Sequence, residues 1–285
     1  MKDSFGRNIT YLRLSVTDKC NLRCRYCMPP EGVTTLRHQD ILSVEEISDI
    51  VRAAAEIGIT KVRVTGGEPL VRKGIVEICR RIAAVPGITE LCLTTNGTLL
   101  DKFAAELSSA GVQRINISLD ALDPAIYARI TCGGDVTDVL RGIAAAEAAF
   151  NATQLNAVKL NCVPQRGINE GEIPKLRAFA DRNGFAFRLI ELMPIGKTAD
   201  YARAHYLPVE EGIAVLSHPF CTACNRLRVT CDGKVKPCLH SSQEFPLRGK
   251  DYKEVLREAL LAKPKGHNLS AADSLSARNM NAIGG

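Results

Sequence analysis

Two groups of cysteines stand out in a chain of 285 residues that holds eleven. Cys20, Cys24 and Cys27 form Cys-x3-Cys-x2-Cys within RLSVTDKCNLRCRYCMPPEG. Cys221, Cys224 and Cys238 form Cys-x2-Cys-x13-Cys within HPFCTACNRLRVTCDGKVKPCL. Thiolates suit soft metals, and iron–sulfur clusters are held mainly by cysteine. Three thiolates on a four-iron cube leave one iron open, and an open position is what a metal needs to bind a small molecule. The alternative for the first trio is a zinc site completed by His38, or unligated thiols, although zinc usually pairs its cysteines with a distant second pair. The second group is more ambiguous. Cys231 lies between Cys224 and Cys238, so a zinc ribbon using all four cysteines, or a site completed by His218 or His240, also fits. Arg226 and Arg228 stand among these cysteines. Two residues apart on a strand they project to one face, and side-by-side guanidiniums repel unless an anion such as phosphate lies between them. Two solvated surface arginines are the alternative.

These residues need a frame. Short β-rich runs at Tyr11–Val16, Lys61–Thr65, Glu90–Thr94, Arg114–Leu119, Val158–Val163 and Phe187–Leu192 alternate with helical patterns. One helix is expected to start at Ser43 with Glu46 completing a capping box, to bury Ile47, Ile50, Val51 and Ala54, and to stop at Gly58. A second aligns Val136, Val139, Leu140 and Ile143; a third aligns Ile173, Leu176 and Phe179 and ends near Asn183-Gly184. Strands separated by helices imply parallel βαβ units, and six of them predict an α/β fold, a partial (β/α)6 barrel of the TIM type. Parallel strands covered on both faces normally read as continuous apolar runs. These alternate: Arg13 and Ser15 oppose Leu12, Leu14 and Val16; Arg63 and Thr65 oppose Val62 and Val64; Asn116, Ser118 and Asp120 oppose Ile115, Ile117 and Leu119; Lys159 and Asn161 oppose Leu160 and Cys162. With helices on the apolar faces, the polar faces line the inside. Unpaired polar groups there would cost about 1–3 kcal/mol each, so the inside is expected to be a cavity for a polar, anionic ligand, with a distorted sheet wet on one face as the alternative. The rhythm is expected to stop after Glu191, giving a barrel over 1–195 and a C-terminal region over 196–285 with a helix near Lys253–Leu261.

Hydrophobic residues make up 46% of the chain, enough for a substantial core, and no run is long enough to span a bilayer. The N-terminal MKDSFGRNIT lacks the apolar stretch of a signal peptide, so a cytoplasmic location is expected, where clustered cysteines bind metal more often than they form disulfides. A net charge of +6 is compatible with an anionic ligand, and no basic run interleaved with aromatics points to nucleic acid.

The first trio, with Tyr26 before its last cysteine and Thr65-Gly66-Gly67-Glu68-Pro69 after the second strand, resembles the radical S-adenosylmethionine family. The resemblance implies that the methionine amine and carboxylate chelate the open iron and that the reduced cluster cleaves S-adenosylmethionine to a 5′-deoxyadenosyl radical. It also implies that Tyr26, Gly67, Ser118 and Met193 contact S-adenosylmethionine and that Asn96 lies nearby. Further stretches, among them LRLSVTDKC, VRVTGGEPLVR, INISLDAL, FRLIELMPIG, HPFCTACNRLRVT and the final MNAIGG, are similar to the GTP 3′,8-cyclase family of molybdenum cofactor biosynthesis. That similarity implies two 4Fe–4S clusters, the second on Cys221, Cys224 and Cys238, and GTP contacts at Arg13, Arg63, Thr94, Lys159, Arg226, Leu227 and Arg228. The implied partners are GTP, S-adenosylmethionine, a flavodoxin- or ferredoxin-like one-electron reductant, and a cyclic pyranopterin monophosphate synthase that takes the product; a homodimer is left open. In that family Gly284-Gly285 is expected to reach toward the active site. Two departures accompany the similarity. The chain passes from LPVEEG through IAVLS directly to HPFC, so the C-terminal region looks shortened near 212–216, and Cys132 stands where the family usually carries Arg. A peptide-modifying radical enzyme with an auxiliary cluster and an inactive cluster-binding homologue are the rival readings.

Overall fold

The computed structural model describes residues 1–29, 31–150, 157–267 and 276–284. Six parallel strands form its centre: β1 (Tyr11–Ser15), β2 (Lys61–Thr65), β3 (Glu90–Thr95), β4 (Arg114–Ser118), β5 (Val158–Cys162) and β6 (Ala186–Ile190). Between and after them run α1 (Val44–Glu56), α2 (Ile75–Ala83), α3 (Leu100–Ser109), α4 (Pro124–Thr131), α5 (Val136–Phe150), α6 (Ile173–Arg182) and α7 (Ala199–Ala204). The strands pair in chain order, as a right-handed series of βα units requires. This is the partial (β/α)6 barrel expected from the alternation.

The alternation also decides which side of the sheet is which. Leu12 pairs with Val62 and Leu14 with Val64, and Ile115 with Val158 and Ile117 with Leu160. All of these are buried in one hydrophobic cluster with Ile47, Ile50 and Val51 of α1 and Val139 and Ile143 of α5. In the intervening rows Arg13 lies beside Arg63, Thr94 beside Asn116, and Asn116 beside Lys159. Helix α1 begins where expected. The Ser43 side chain accepts from the Glu46 N–H while the Glu46 carboxylate accepts from the Ser43 N–H, and Gly58 follows the helix at φ +94°.

The region after Glu191 differs from expectation. The βα rhythm continues for one more unit, through α7 to a two-residue strand, β7 (Gly212–Ile213), parallel to β6. Glycine is required at 212, where φ is +131° and a Cβ would stand 2.3 Å from the Leu189 carbonyl oxygen. The chain then crosses to the other edge of the sheet. There β8 (Arg226–Val229) pairs parallel to β1, followed by antiparallel β9 (Lys234–Lys236) and β10 (Phe245–Pro246). The C-terminal cysteines therefore sit on an extension of the barrel sheet itself. Helix α8 (Tyr252–Leu261) packs on α1, and α9 (Met280–Ile283) lies in the last described segment.

Candidate functional site

One cavity of about 440 Å³ occupies the inside of the sheet, and both cysteine trios line it. The first trio lies in the loop after β1, at the C-terminal edge of the strands, where barrel enzymes place their chemistry. Backbone bonds shape this loop: the Cys27 N–H donates to the Cys24 carbonyl at 2.9 Å, and Arg23 and Arg25 N–H groups donate to Thr131 and Ile130 carbonyls at 3.1 and 3.0 Å. The turn after β2 lies against the same loop. Gly67 N–H donates to Thr17 O at 2.7 Å and Glu68 N–H to Lys19 O at 2.8 Å. A Cβ at Gly67 would stand 2.3 Å from the Lys19 carbonyl oxygen, so only glycine permits this approach.

Burial pushes all three thiols of the first trio above their ordinary range. Cys27 goes to about 12, with the Cys20 charge adding to the shift and the Asn281 N–H opposing it; Cys24 is also raised, with Cys27 and Asp120 adding to the burial effect. Thiols pushed up by burial ionise when a metal supplies the positive charge. Among the described residues no three His, Cys, Asp or Glu side chains converge closely enough for a single metal ion. Three cysteines lining one volume fit a cluster of several irons with one iron left without a protein ligand. Tyr26 donates to Asp120 Oδ2 at 2.8 Å, and burial raises that carboxyl to about 6 even though it also accepts from the Val163 N–H. Glu68, buried beneath the glycine turn, is raised by desolvation to about 7 against the bonds it accepts from Asn96 N–H, Thr95 Oγ1 and Leu70 N–H.

On the other side of the cavity, burial pushes Cys224 up while Lys263 and Arg226 pull it down, and the net shift is downward. Arg13, Arg63, Arg226 and Arg228 all line the cavity. Arg228 lies beside Arg13 across β8 and β1, and Arg13 beside Arg63 across β1 and β2. Burial holds Arg13 down to about 10 and Arg228 to about 9, and repulsion among the guanidiniums adds to both. Tyr11 sits among them, its phenol oxygen accepting from the Arg63 Nε–H; burial would raise its pKa, but the surrounding Arg13, Arg63 and Arg226 lower it overall. Arg228 donates to the Gly284 carbonyl at 2.6 Å and Arg13 to the same oxygen at 3.4 Å. The segment before residue 285 thus reaches the site; Gly285 itself lies outside the described residues.

The cavity brings together the six cysteines, Tyr26, Gly67, Ser118, Met193, Thr94, Asn96, Arg13, Arg63, Arg226 and Arg228. Two expected residues lie elsewhere. Lys159 lines a smaller adjoining pocket of about 220 Å³ with Lys61, Arg63, Arg114 and Arg188, and burial together with repulsion from Arg188 and Arg114 lowers its pKa. Leu227 points the other way on β8, into the hydrophobic cluster. The alternation of β1 and β6 could have marked Tyr11 and Arg188 as inward-facing, since each shares a face with a residue of the cavity. Glu191 had no such signal. Its buried carboxylate accepts from Tyr206 Oη, Leu216 N–H and Ser217 N–H, which fixes the chain just before the second trio. Cys79, Cys92, Cys162 and Cys231 are buried and are not among the residues lining the cavity, and exposed Cys132 caps α4 with φ +57°.

Comparison with known proteins places this geometry. The profile of the Radical SAM superfamily matches residues 14–180, and that of Molybdenum Cofactor Synthesis C matches residues 211–269. A GTP 3′,8-cyclase from Alkaliphilus metalliredigens is 43% identical over the full length of both chains, and one from Geobacter sulfurreducens is 44% identical over 99% of each. The first alignment extends over 324 positions against 285 residues here, so at least 39 (324 less 285) have no counterpart in this chain. Among solved structures, SuiB from Streptococcus suis superposes with a TM-score of 0.64 at 15% identity over 96% of this chain and 77% of its own. The enzyme anSMEcpe with bound AdoMet superposes at 0.62 and 16% identity over 91% and 82%. At those identities the superpositions speak for the fold alone. The profile over the first trio and the full-length relatives together show that the chain belongs to the radical SAM superfamily and, within it, to the GTP 3′,8-cyclase family.

Proposed function

We propose that the protein converts GTP to 3′,8-cyclo-7,8-dihydro-GTP, the first step of molybdenum cofactor biosynthesis. Cys20, Cys24 and Cys27 hold one 4Fe–4S cluster and Cys221, Cys224 and Cys238 a second. A reduced cluster and S-adenosylmethionine bound at the first trio would supply the 5′-deoxyadenosyl radical chemistry needed to remove a hydrogen from C3′ of the GTP ribose. Around that chemistry the chain does the positioning. Tyr26, Gly67, Ser118 and Met193 face S-adenosylmethionine; Gly67 brings backbone to the cluster loop, and the Tyr26–Asp120 bond fixes the aromatic ring. Arg13, Arg63, Arg226 and Arg228 hold the triphosphate, with Thr94 beside them and Lys159 at the far end of the basic lining. Leu227 contributes through its backbone. Holding C3′ and C8 of one nucleotide against each other is a problem of orientation, and arginines gripping the phosphate at one end, with the base turned toward the second trio, would address it.

The observation that carries this reading is that four arginines share one cavity with two cysteine trios, and that burial there lowers the pKa of Arg13 and Arg228. A flavodoxin- or ferredoxin-like protein supplies the electron, a cyclic pyranopterin monophosphate synthase takes the product, and the reaction runs in the cytoplasm. Anaerobic reconstitution followed by reduction and incubation with GTP and S-adenosylmethionine tests the proposal. About eight irons per chain and the cyclised nucleotide are expected. S-adenosylmethionine cleavage indifferent to GTP, with no cyclised product, would refute it.

A further inference from the structure

Beside the second trio, on the cavity wall, lies a lysine that the chemistry described above does not use. Lys263 follows α8 and is 3% exposed. Its ammonium donates to the Arg226 carbonyl at 2.8 Å and to the Pro237 carbonyl at 2.8 Å, and it reaches the Cys224 thiol. Arg226 stands two residues after Cys224, and Pro237 immediately precedes Cys238. One side chain therefore ties the two arms of the cysteine loop together. Its partners are two neutral carbonyls and a thiol. A buried ammonium without a carboxylate is expensive, and the cost falls when an anionic assembly of thiolates and sulfide lies against it.

The third cysteine is held from outside by a related device. Arg7 donates to the Cys221 carbonyl at 2.8 Å, to Pro264 O at 2.7 Å and to Lys265 O at 3.1 Å, while Asp3 takes its Nε–H at 2.6 Å. The segment carrying Lys263 is thus clamped between Arg7 and the cysteine loop.

We infer that Lys263 is a positioning residue for the second cluster, assembling the Cys224 and Cys238 arms before iron arrives and placing a fixed positive charge against the thiolates. This rests on the second-cluster reading given above. The test uses the full chain carrying Cys20→Ala, Cys24→Ala and Cys27→Ala, so that only the second cluster contributes to the spectra. In that background Lys263→Met and Lys263→Arg are compared for iron content, midpoint potential followed by electron paramagnetic resonance, and rate of iron loss to a chelator. Removing the charge is expected to lower the potential and to speed iron loss roughly tenfold, as loss of a charged hydrogen bond implies. Lys263→Arg, which keeps the charge, is expected to stay near the parent potential. Equal potentials and equal iron loss in Lys263→Met and its parent would overturn the inference. Absence of any cluster in the parent with Lys263 intact would instead overturn the second-cluster reading, and the inference with it. If Lys263→Met alters the far-ultraviolet circular dichroism, Lys263→Gln carries the same comparison with a smaller loss of packing.

Discussion

Replacing Arg228 by Met should make the cluster-free protein more stable while removing its response to GTP. Arg228 is buried, and its pKa is held to about 9 against an ordinary 12.5, first by burial and then by Arg13 and Arg226. At about 1.4 kcal/mol per tenfold, keeping that guanidinium charged at pH 7 costs the folded state about 5 kcal/mol. Removing it also sacrifices the charged hydrogen bond to the Gly284 carbonyl at 2.6 Å, worth about 1.5–3 kcal/mol. The balance is a gain of about 2 kcal/mol, or about 5 °C in melting temperature. The sign of the pH dependence follows from a depressed base. The penalty is complete below the folded value near 9 and is relieved as pH rises from there toward the unfolded value. The stability gap between Arg228→Met and the parent should therefore narrow between pH 7 and pH 10. Scanning calorimetry of both proteins with and without GTP reads all of this. At a hundredfold excess over its dissociation constant GTP should raise parent stability by about 2.7 kcal/mol and leave the variant unmoved. A variant that melts below the parent at pH 7, yet is still stabilised by GTP, would refute the argument that these arginines are kept charged and buried for an anion.

Glu68→Gln should flatten the stability profile of the cluster-free protein between about pH 4.5 and pH 7. The raised pKa of Glu68 means that its contribution is complete below the unfolded value and is lost as pH rises through about 7, and thermal melts across that range would read the change. Gly67→Ala must move backbone, because its Cβ would meet Lys19 O at 2.3 Å and Asp18 O at 2.8 Å; a loss of about 1–3 kcal/mol and depleted iron at the first trio are expected in melts and iron analysis. Arg278 bridges Asp232 and Glu244 with contacts of 2.5–3.0 Å just before α9. Arg278→Ala should cost about 2 kcal/mol and expose the Ser276–Gly284 segment to protease, whereas Arg278→Lys should recover only part of the loss because it cannot grip both carboxylates.

The alternation of residue types along each strand determined much of this protein without any coordinates. Arg13, Arg63 and Lys159 could be assigned to the inner face because Leu12, Val62 and Leu160 had to meet helices, and a period of two leaves no other side for their neighbours. The spacing of Cys20, Cys24 and Cys27 was readable for the same reason of locality, since a short loop holds its own donors. Relations between distant segments were not readable. That β8 pairs with β1, placing Arg228 beside Arg13, depends on a chain crossing of more than two hundred residues. That Lys159 falls in the adjoining pocket follows from register rather than residue type, whereas the core-facing side of Leu227 was already implied by Arg226 and Arg228 sharing the other face. Glu191, Arg7 and Lys263 act by satisfying backbone groups of segments far away in sequence, and a hydrogen bond to a carbonyl or an amide leaves no mark in the identity of the residue that owns it. Local periodicity and donor chemistry were set by the order of amino acids alone; the meeting of the two trios and the arginines in one volume was decided only when β8 paired with β1.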